Sequence, residues 1–157
     1  MDIFYTDLTK FDGKNDYYKG HNAGREIVKY CAKNIYHIEN PEIEIVDGKP
    51  KFKFSKLQFS ISHSGTIAAV CFDINPVGFD IERIVKRDYK SIAKRLNFKM
   101  ENDSLEAFYK SWTQYEAAYK LHNEVIYRFN DKILNEYVFS IASSNSFKLE
   151  RIKELFF

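Results

Sequence analysis

The 157-residue sequence has few of the residues that build linkers, disulfide frameworks or low-complexity tails. It contains 6 glycines and 3 prolines against 14 phenylalanines and 11 tyrosines, a balance typical of regular, well-packed structure. Its two cysteines, Cys31 and Cys71, lie far apart in apolar segments, and no Cys/His cluster has zinc spacing. The sequence therefore indicates neither a disulfide scaffold nor a structural zinc site, and we expect both thiols to be buried.

An excess of one charge is also missing. The 24 Lys and Arg residues against 22 Asp and Glu give a formal net charge of +2, whereas a dedicated duplex-DNA binder usually carries a larger basic excess. The longest apolar run, residues 67–72, is far shorter than the ~20 residues that cross a bilayer. The N-terminal segment has acids where a signal peptide needs a basic start and an apolar core. We therefore expect a cytoplasmic protein that uses neither nucleic acid nor a membrane as a partner.

The 45% of hydrophobic residues suffices for a core, and their spacing predicts alternating strands and helices. Strands are expected at 2–8, 43–46, 51–54, 57–62, 66–72, 77–84, 124–129, 136–142 and 147–152. Helices are expected at 21–38, 88–96 and 103–121. At the start of the third helix, Asp103 and Glu106 resemble a capping box. This order predicts an α+β fold and allows two related α/β lobes that meet near Asn75-Pro76.

The segment VGFDIER at 77–83 places two carboxylates side by side. On a strand, Asp80 and Glu82 share one face, so both side chains can reach the same cation. Two acids this close repel each other unless water or a cation separates them. The pattern fits either a cation site or an ordinary strand with one face in solvent.

The third predicted helix carries a second charged pair. Glu116 and Lys120 are four residues apart and share one face, which allows a simple surface ion pair. Trp112 lies one turn earlier on that line, so the face can also point inward and present a metal ligand and a phosphate-binding cation. The apolar positions of this helix predict a buried stripe made of Leu105, Phe108, Trp112, Tyr115 and Tyr119.

Residues 62–65, with the sequence SHSG, follow a predicted strand. Hydroxyls, a histidine and a flexible backbone at a strand end can hold a phosphate through hydrogen bonds, although a plain hairpin turn explains the same residues. Neither a dinucleotide-binding nor a P-loop motif occurs, and no serine lies in a G-x-S-x-G elbow.

The stretch 83–99 has a local excess of positive charge. Its only acid is Asp88, and such a run is either a solvated helix face or a docking surface for an acidic partner. Its seven basic residues are Arg83, Lys86, Arg87, Lys90, Lys94, Arg95 and Lys99.

Four segments, taken in chain order, are similar to the motifs of the 4′-phosphopantetheinyl transferases. They are GKPKF at 48–52, FSISHSG at 59–65, VGFDIER at 77–83 and FYKSWTQYEAAYK at 108–120. Each motif is weak alone, but their order and gaps, within residues 20–142, are specific. The sequence resembles the surfactin-synthetase-activating type, in which two similar α/β lobes are fused in a pseudo-twofold arrangement. The resemblance implies lobes at 1–75 and 76–157, an active site between them and a monomeric protein.

The resemblance also implies an activity and its residues. The enzyme would transfer the 4′-phosphopantetheine arm of coenzyme A to a serine of an acyl or peptidyl carrier protein, in a Mg²⁺-dependent reaction. Asp80, Glu82 and Glu116 would bind Mg²⁺, and Glu116 and Lys120 would be the catalytic pair, with Glu116 taking the serine proton. The residues expected to contact coenzyme A are Arg25, Lys49, Ser62, His63 and Lys120. Since carrier proteins are acidic, the expected docking residues are Arg83, Lys86, Arg87, Lys90 and Lys94.

Two departures from the family pattern leave an alternative open. Tyr115 stands where the family usually has a lysine before the helix glutamate, which removes a cation near an anionic substrate. The chain is also shorter than typical fused members. A non-catalytic relative that binds coenzyme A or a carrier protein is therefore the second hypothesis. A generic Mg²⁺-dependent nucleotide enzyme fits the motif order less well.

Overall fold

The computed structural model describes residues 1–157 and confirms an α+β fold with three α-helices. The strands are β1 (Asp2–Asp7), β2 (Ile43–Val46), β3 (Lys49–Phe52), β4 (Gln58–Ser64), β5 (Ile67–Asp73), β6 (Val77–Arg83), β7 (Tyr127–Ile133), β8 (Tyr137–Ser143) and β9 (Arg151–Glu154). The helices are α1 (Asp16–Asn34), α2 (Tyr89–Leu96) and α3 (Leu105–Leu121), and a 3-10 turn covers Leu8–Lys10. None of the helices combines the length and the apolar character needed to cross a membrane.

The first sheet has the strand order β4-β5-β1-β9 and supports helix α1 on one face. Strand β1 runs antiparallel to β5 and parallel to β9, so residues 151–154 near the C-terminus join the N-terminal strand. Phe4 and Phe72 of this sheet share a buried cluster with Ile27 of α1. Helix α1 approaches β4 closely, because a Cβ at Gly24 would lie 2.5 Å from Cγ2 of Ile61. The β2–β3 hairpin forms a separate two-stranded sheet.

The second sheet has the order β6-β8-β7, is antiparallel throughout, and packs against α3. The other face of this sheet meets the first sheet. Ile3 and Cys71 of the first sheet share one buried cluster with Phe79, Ile81 and Phe139 of the second. The resulting layers are α1, first sheet, second sheet and α3, with the edge strands β4 and β6 next to each other.

Helix α3 differs from its prediction at its start. Ser104, and not Asp103, is the N-cap, and its hydroxyl accepts a hydrogen bond from the backbone N–H of Ala107. The Asp103 carboxylate instead accepts hydrogen bonds from Tyr89 and Lys90. The capping box predicted from Asp103 and Glu106 is therefore wrong, because the serine next to it performs the capping.

The predicted apolar stripe of α3 is also partly wrong. Tyr115 and Tyr119 are 53% and 70% exposed, while the buried positions of the helix are Ala107, Phe108, Tyr109, Thr113, Ala117 and Leu121. The reason is that the face of α3 that packs inward follows Tyr109, Thr113, Ala117 and Leu121, which leaves Tyr115 and Tyr119 on the outer side of the helix.

Helix α1 begins earlier than the apolar pattern predicts. Asn15 caps it by accepting a hydrogen bond from the N–H of Tyr18, and it ends at Asn34. Cys31 on this helix and Cys71 on β5 are both free and buried. The burial predicted for the two thiols is therefore confirmed. Burial raises the pKa of the Cys31 thiol to about 12.

Candidate active site

Asp80 lies at the centre of β6, where α3 covers the strand, and is 4% exposed. Its Oδ1 accepts two hydrogen bonds of 2.7 Å, one from the Ser62 hydroxyl of β4 and one from Nζ of Lys120 on α3. Its Oδ2 is buried and has no hydrogen-bond partner. One carboxylate oxygen is thus held by two elements, while the other is buried with its hydrogen-bonding capacity unused.

Glu82 lies two residues further along β6, on the same face as Asp80. Its Oε2 accepts a hydrogen bond of 2.6 Å from the Ser64 hydroxyl. Burial raises the pKa of Glu82, and the negative charge of Asp80 raises it further, while the hydrogen bond from Ser64 acts in the opposite direction. The strand face carrying both acids therefore turns toward the interior, and the solvent-facing interpretation of this strand is wrong.

Glu116 lies on α3 one turn before Lys120 and is half-buried. Burial raises its pKa, and the charge of Asp80 adds to that shift, while Lys120 lowers it. Asp80 therefore acts electrostatically on both Glu82 and Glu116. The pair of Glu116 and Lys120 is not a surface ion pair, since Lys120 bonds to Asp80 instead.

Asp80, Glu82 and Glu116 are candidate ligands for a divalent cation. Hard cations such as Mg²⁺ prefer carboxylate oxygens, and the unpartnered Oδ2 of Asp80 is such an oxygen in a buried position. The side-chain donors are therefore of the chemical type that such an ion prefers. In the conformation described, no group of three or more His, Cys, Asp or Glu side chains is gathered closely enough to hold a metal, and Lys120 neutralises the charge of Asp80.

Ser62 and His63 were predicted to act together, but the strand turns them to opposite faces of the first sheet. Ser62 points to β6 and bonds to Asp80. His63 points to α1, with its ring 5.6 Å from that of Tyr17 and against the backbone of Gly20. Burial lowers the pKa of His63, and the neighbouring positive charge of Lys120 lowers it further. Their side chains therefore do not form one pocket.

Lys49 of β3 is buried, and its Nζ donates a hydrogen bond of 2.7 Å to the carbonyl oxygen of Val77. Burial lowers the pKa of this amine to about 8. The contact ties the β2–β3 hairpin to the start of β6. Arg25, in contrast, lies on the exposed face of α1 and makes no hydrogen bond or ion pair.

Two adjoining cavities separate the β2–β3 hairpin from the end of α3. One, of about 320 Å³, is lined by Lys49, Lys51 and His122, among other residues. The other, of about 240 Å³, shares Lys49 and His122 and extends to Tyr119 and Lys120. The sequence did not single out Lys51 or His122, because only the folded hairpin brings Lys51 near His122 at the end of α3.

The basic stretch 83–99 divides into paired and free side chains. Arg83 forms an ion pair of 2.9 Å with Glu136, and Lys90 pairs with Asp103. The Arg87 guanidinium lies over the rings of Tyr109 and Trp112. The remaining members of the predicted docking set, Lys86 and Lys94, are exposed and form no ion pair.

The chain is similar to one curated protein that carries a functional name. It is 35% identical over 85 residues to a "Putative 4'-phosphopantetheinyl transferase" of Haemophilus influenzae, an alignment that covers 46% of this chain. The chain spans about a third, 36%, of the length of that relative. No protein-family model matches the sequence. The similarity supports a relationship to the 4′-phosphopantetheinyl transferase superfamily.

Proposed function

We propose that the protein transfers the 4′-phosphopantetheine arm of coenzyme A to a serine hydroxyl of an acyl or peptidyl carrier protein. The observation that carries the proposal is the environment of Asp80, which has one oxygen held by Ser62 and Lys120 and the other unpartnered. This site lies within the segments that resemble the family motifs, and the similarity to the H. influenzae protein supports the same activity. The carrier belongs to fatty-acid or secondary-metabolite biosynthesis.

In the proposed reaction, the serine oxygen forms a bond to the phosphorus that bears the pantetheine arm. The bond from that phosphorus to the bridging oxygen of the diphosphate breaks, and adenosine 3′,5′-bisphosphate leaves. Glu116 takes the proton of the serine hydroxyl. Its half-buried position next to Asp80 raises its pKa, which makes the carboxylate a stronger base than one in water.

Asp80, Glu82 and Glu116 would hold Mg²⁺ together with the diphosphate of coenzyme A. When bound, the ion neutralises charge on the phosphate oxygens as the transferring bond breaks. Lys120 is the second positive charge of the site, because its Nζ lies 2.7 Å from Asp80 and borders the smaller cavity. It would contact the same phosphates.

The adenosine end of coenzyme A would occupy the two cavities between the β2–β3 hairpin and α3. Both are lined by Lys49 and His122, and Lys51 adds a positive charge suited to the phosphate on the ribose. His63 and Arg25 remain proposed contacts of coenzyme A. They lie on the other side of β4, where His63 faces α1 and Arg25 is exposed on that helix. Ser62 would contribute to binding of coenzyme A indirectly, through its hydrogen bond to Asp80.

A two-lobed arrangement is supported by the topology. Apart from the β2–β3 hairpin, residues 1–75 contain one strand, one helix and two strands in the order β4-β5-β1; apart from α2 and from β9, which joins the first sheet, residues 76–157 contain the equivalent elements in the order β7-β8-β6. The same sequence of elements thus produces the same strand order twice. We propose that the site lies between these lobes, where β4 meets β6, as in the fused surfactin-synthetase-activating type, and that the protein is a monomer in the cytoplasm.

The carrier protein is proposed to dock on the 83–94 segment, immediately after the two acids of β6. Lys86 and Lys94 are exposed and unpaired, so they are available to an acidic surface without breaking an internal ion pair. Arg83, Arg87 and Lys90 complete the set, although each already has a partner within the chain.

A non-catalytic relative that binds coenzyme A or a carrier protein is the alternative. It is favoured by Tyr115, which is exposed next to Phe98 and supplies no charge, and by the lack of a gathered metal group. The two functions differ in whether the carrier gains mass.

The test is to incubate the purified protein with apo carrier proteins of several classes, coenzyme A and Mg²⁺, and to measure the carrier mass. We expect the mass of the phosphopantetheine arm to be added by the wild type, and not by Asp80→Ala or Glu116→Ala. Glu101→Ala, which removes an exposed carboxylate without a partner, is the matched control and should remain active. Binding of coenzyme A without any mass gain would establish the non-catalytic alternative.

A further inference from the structure

The edge strands β4 and β6 are joined by side chains and not by a regular backbone ladder. Three serines at alternate positions of β4 point toward β6, and their hydroxyls take the place of backbone acceptors. The hydroxyl oxygens of Ser60, Ser62 and Ser64 accept hydrogen bonds from the backbone N–H groups of Phe79, Ile81 and Arg83, at 3.0, 3.3 and 3.1 Å. The N–H groups on this edge of β6 are thereby satisfied.

Each serine hydroxyl also has one proton to donate, and the three serines use it differently. Ser62 donates to Oδ1 of Asp80 at 2.7 Å, and Ser64 donates to Oε2 of Glu82 at 2.6 Å. Ser60 has no carboxylate in reach, and its hydroxyl lies 3.5 Å from the carbonyl oxygen of Phe79. Two equivalent serines therefore hold carboxylates, while the third only joins the strands.

We infer that Ser62 and Ser64 are positioning residues that hold the carboxylates of Asp80 and Glu82 for ligand binding. The inference rests on the proposed function, because it assigns these serines to the cation and diphosphate site. Each hydroxyl oxygen is fixed by a backbone N–H of β6, and its proton then goes to a carboxylate on the same strand. Ser62 therefore acts on the site through Asp80, and Ser64 acquires a role that the family resemblance did not imply.

The arrangement has a physical advantage for a site with adjacent acids. Ser62 and Asp80 are 18 residues apart in the chain, and so are Ser64 and Glu82. A single alignment of β4 beside β6 therefore brings both acids next to their serines. Each hydrogen bond occupies one oxygen of its carboxylate and restricts rotation of the side chain. In Asp80 this leaves Oδ2 as the oxygen without a partner. Partners of metal-binding carboxylates typically change metal affinity about 10- to 100-fold when removed.

The test compares Ser64→Ala with Ser60→Ala and Ser64→Thr. Ser60→Ala removes an equivalent link between β4 and β6 that does not touch a carboxylate, and Ser64→Thr keeps the hydroxyl. Mn²⁺ binding is measured without coenzyme A by the electron paramagnetic resonance signal of the free ion, because Ser60 lines the smaller of the two cavities proposed for that substrate. Thermal unfolding is followed in parallel. We expect Ser64→Ala to weaken Mn²⁺ binding about tenfold or more, and Ser60→Ala and Ser64→Thr to bind Mn²⁺ like the wild type.

The inference is overturned if Ser64→Ala binds Mn²⁺ as tightly as the wild type, or if Ser60→Ala weakens binding equally. Crystal structures of the Ser64→Ala and Ser60→Ala variants provide a measurement that does not depend on the proposed function. If the wild type neither binds Mn²⁺ nor transfers the arm, the proposed function fails, and the position of Glu82 decides this inference alone. If the Glu82 carboxylate is displaced in Ser64→Ala and not in Ser60→Ala, the positioning role of Ser64 is supported. If the carboxylate does not move in Ser64→Ala, that role is refuted.

Discussion

Gly78 of β6 lies directly against the carbonyl oxygen of Ala117 in α3. A Cβ at Gly78 would overlap with that oxygen and would lie 2.7 Å from the backbone nitrogen of Leu121. The helix backbone therefore approaches the strand as closely as a glycine allows. This contact brings α3 near enough to β6 for Lys120 to reach Asp80. Gly78 therefore contributes to the site by allowing this close approach, and it supplies no functional group.

Gly78→Ala is expected to lower the free energy of unfolding by about 3 kcal/mol, because the obstructing atoms belong to backbone that cannot move independently. Gly24→Ala is the matched control. Its added Cβ meets side-chain atoms of Ile61 and no backbone, and it gains helix propensity. Urea unfolding of both variants measures the difference. Equal losses would mean that the contact between Gly78 and α3 is not rigid.

Lys120→Met is expected to destabilise the protein by about 2 kcal/mol, because it leaves the buried Asp80 charge with only Ser62 as a partner. Lys110→Met is the control, since both lysine side chains are 30% exposed. The carboxylate partner of Lys110, Glu106, is 41% exposed, against 6% for Asp80, and it keeps Lys132 as a second partner, so the lost pair costs about 0.5 kcal/mol or less. Equal losses in urea unfolding would contradict the buried character of the Asp80 pair.

The stability of the protein should depend on pH through Lys49. Burial lowers the pKa of its amine to about 8 in the folded state, from an ordinary value of 10.5, so between these values the unfolded chain binds more protons at this position. Its contribution to the free energy of unfolding therefore rises as the pH rises from about 8 to about 10.5, by at most about 3 kcal/mol.

Lys49→Met lacks this contribution and is the reference for the measurement. Other groups, among them tyrosines and cysteines, also ionise in this range, so the observable is the difference between the two proteins in urea unfolding as a function of pH. We expect the wild type to gain stability relative to Lys49→Met as the pH rises. A constant difference would show that the Lys49 amine keeps its ordinary pKa.

Reversing the charge of Lys86 and Lys94 together is expected to raise the KM for the carrier protein several-fold, with kcat and the KM for coenzyme A unchanged. Both side chains are exposed and unpaired, so the substitution removes attraction to an acidic partner without breaking an internal contact. Lys14→Glu with Lys33→Glu, at two exposed lysines that also form no ion pair, changes the net charge equally and serves as the control. A similar effect of both pairs on the carrier KM would indicate a general charge effect and no local docking surface.

The elements of the fold were predictable because local patterns specify them. Residues 43–46 form a strand as predicted, and 88–96 was predicted as a helix that the structure begins at Tyr89. The alternation in VGFDIER correctly separated Val77, Phe79 and Ile81 from the face with the two acids. The burial of that second face was not predictable, because α3 covers it from 40 residues further along the chain.

The partners of the candidate site residues were the least predictable feature. Glu116 and Lys120 are spaced for pairing with each other, yet Lys120 bonds to Asp80 because the close contact at Gly78 places the strand within its reach. Ser62 and His63 are adjacent in the chain, yet they point to opposite faces, because successive side chains of a strand alternate.

The amino-acid sequence by itself determined the α+β class, the positions of most strands and helices, and the segments that resemble a transferase family. These follow from local periodicity, turn residues and motif spacing, which do not depend on distant contacts. The tertiary structure alone decided which groups meet: Asp80 with Lys120 and Ser62, Glu82 with Ser64, and Lys49 with the carbonyl of Val77. The physical reason is that these contacts depend on the register of β4 against β6 and on the approach of α3, which arise when separate elements pack around one core.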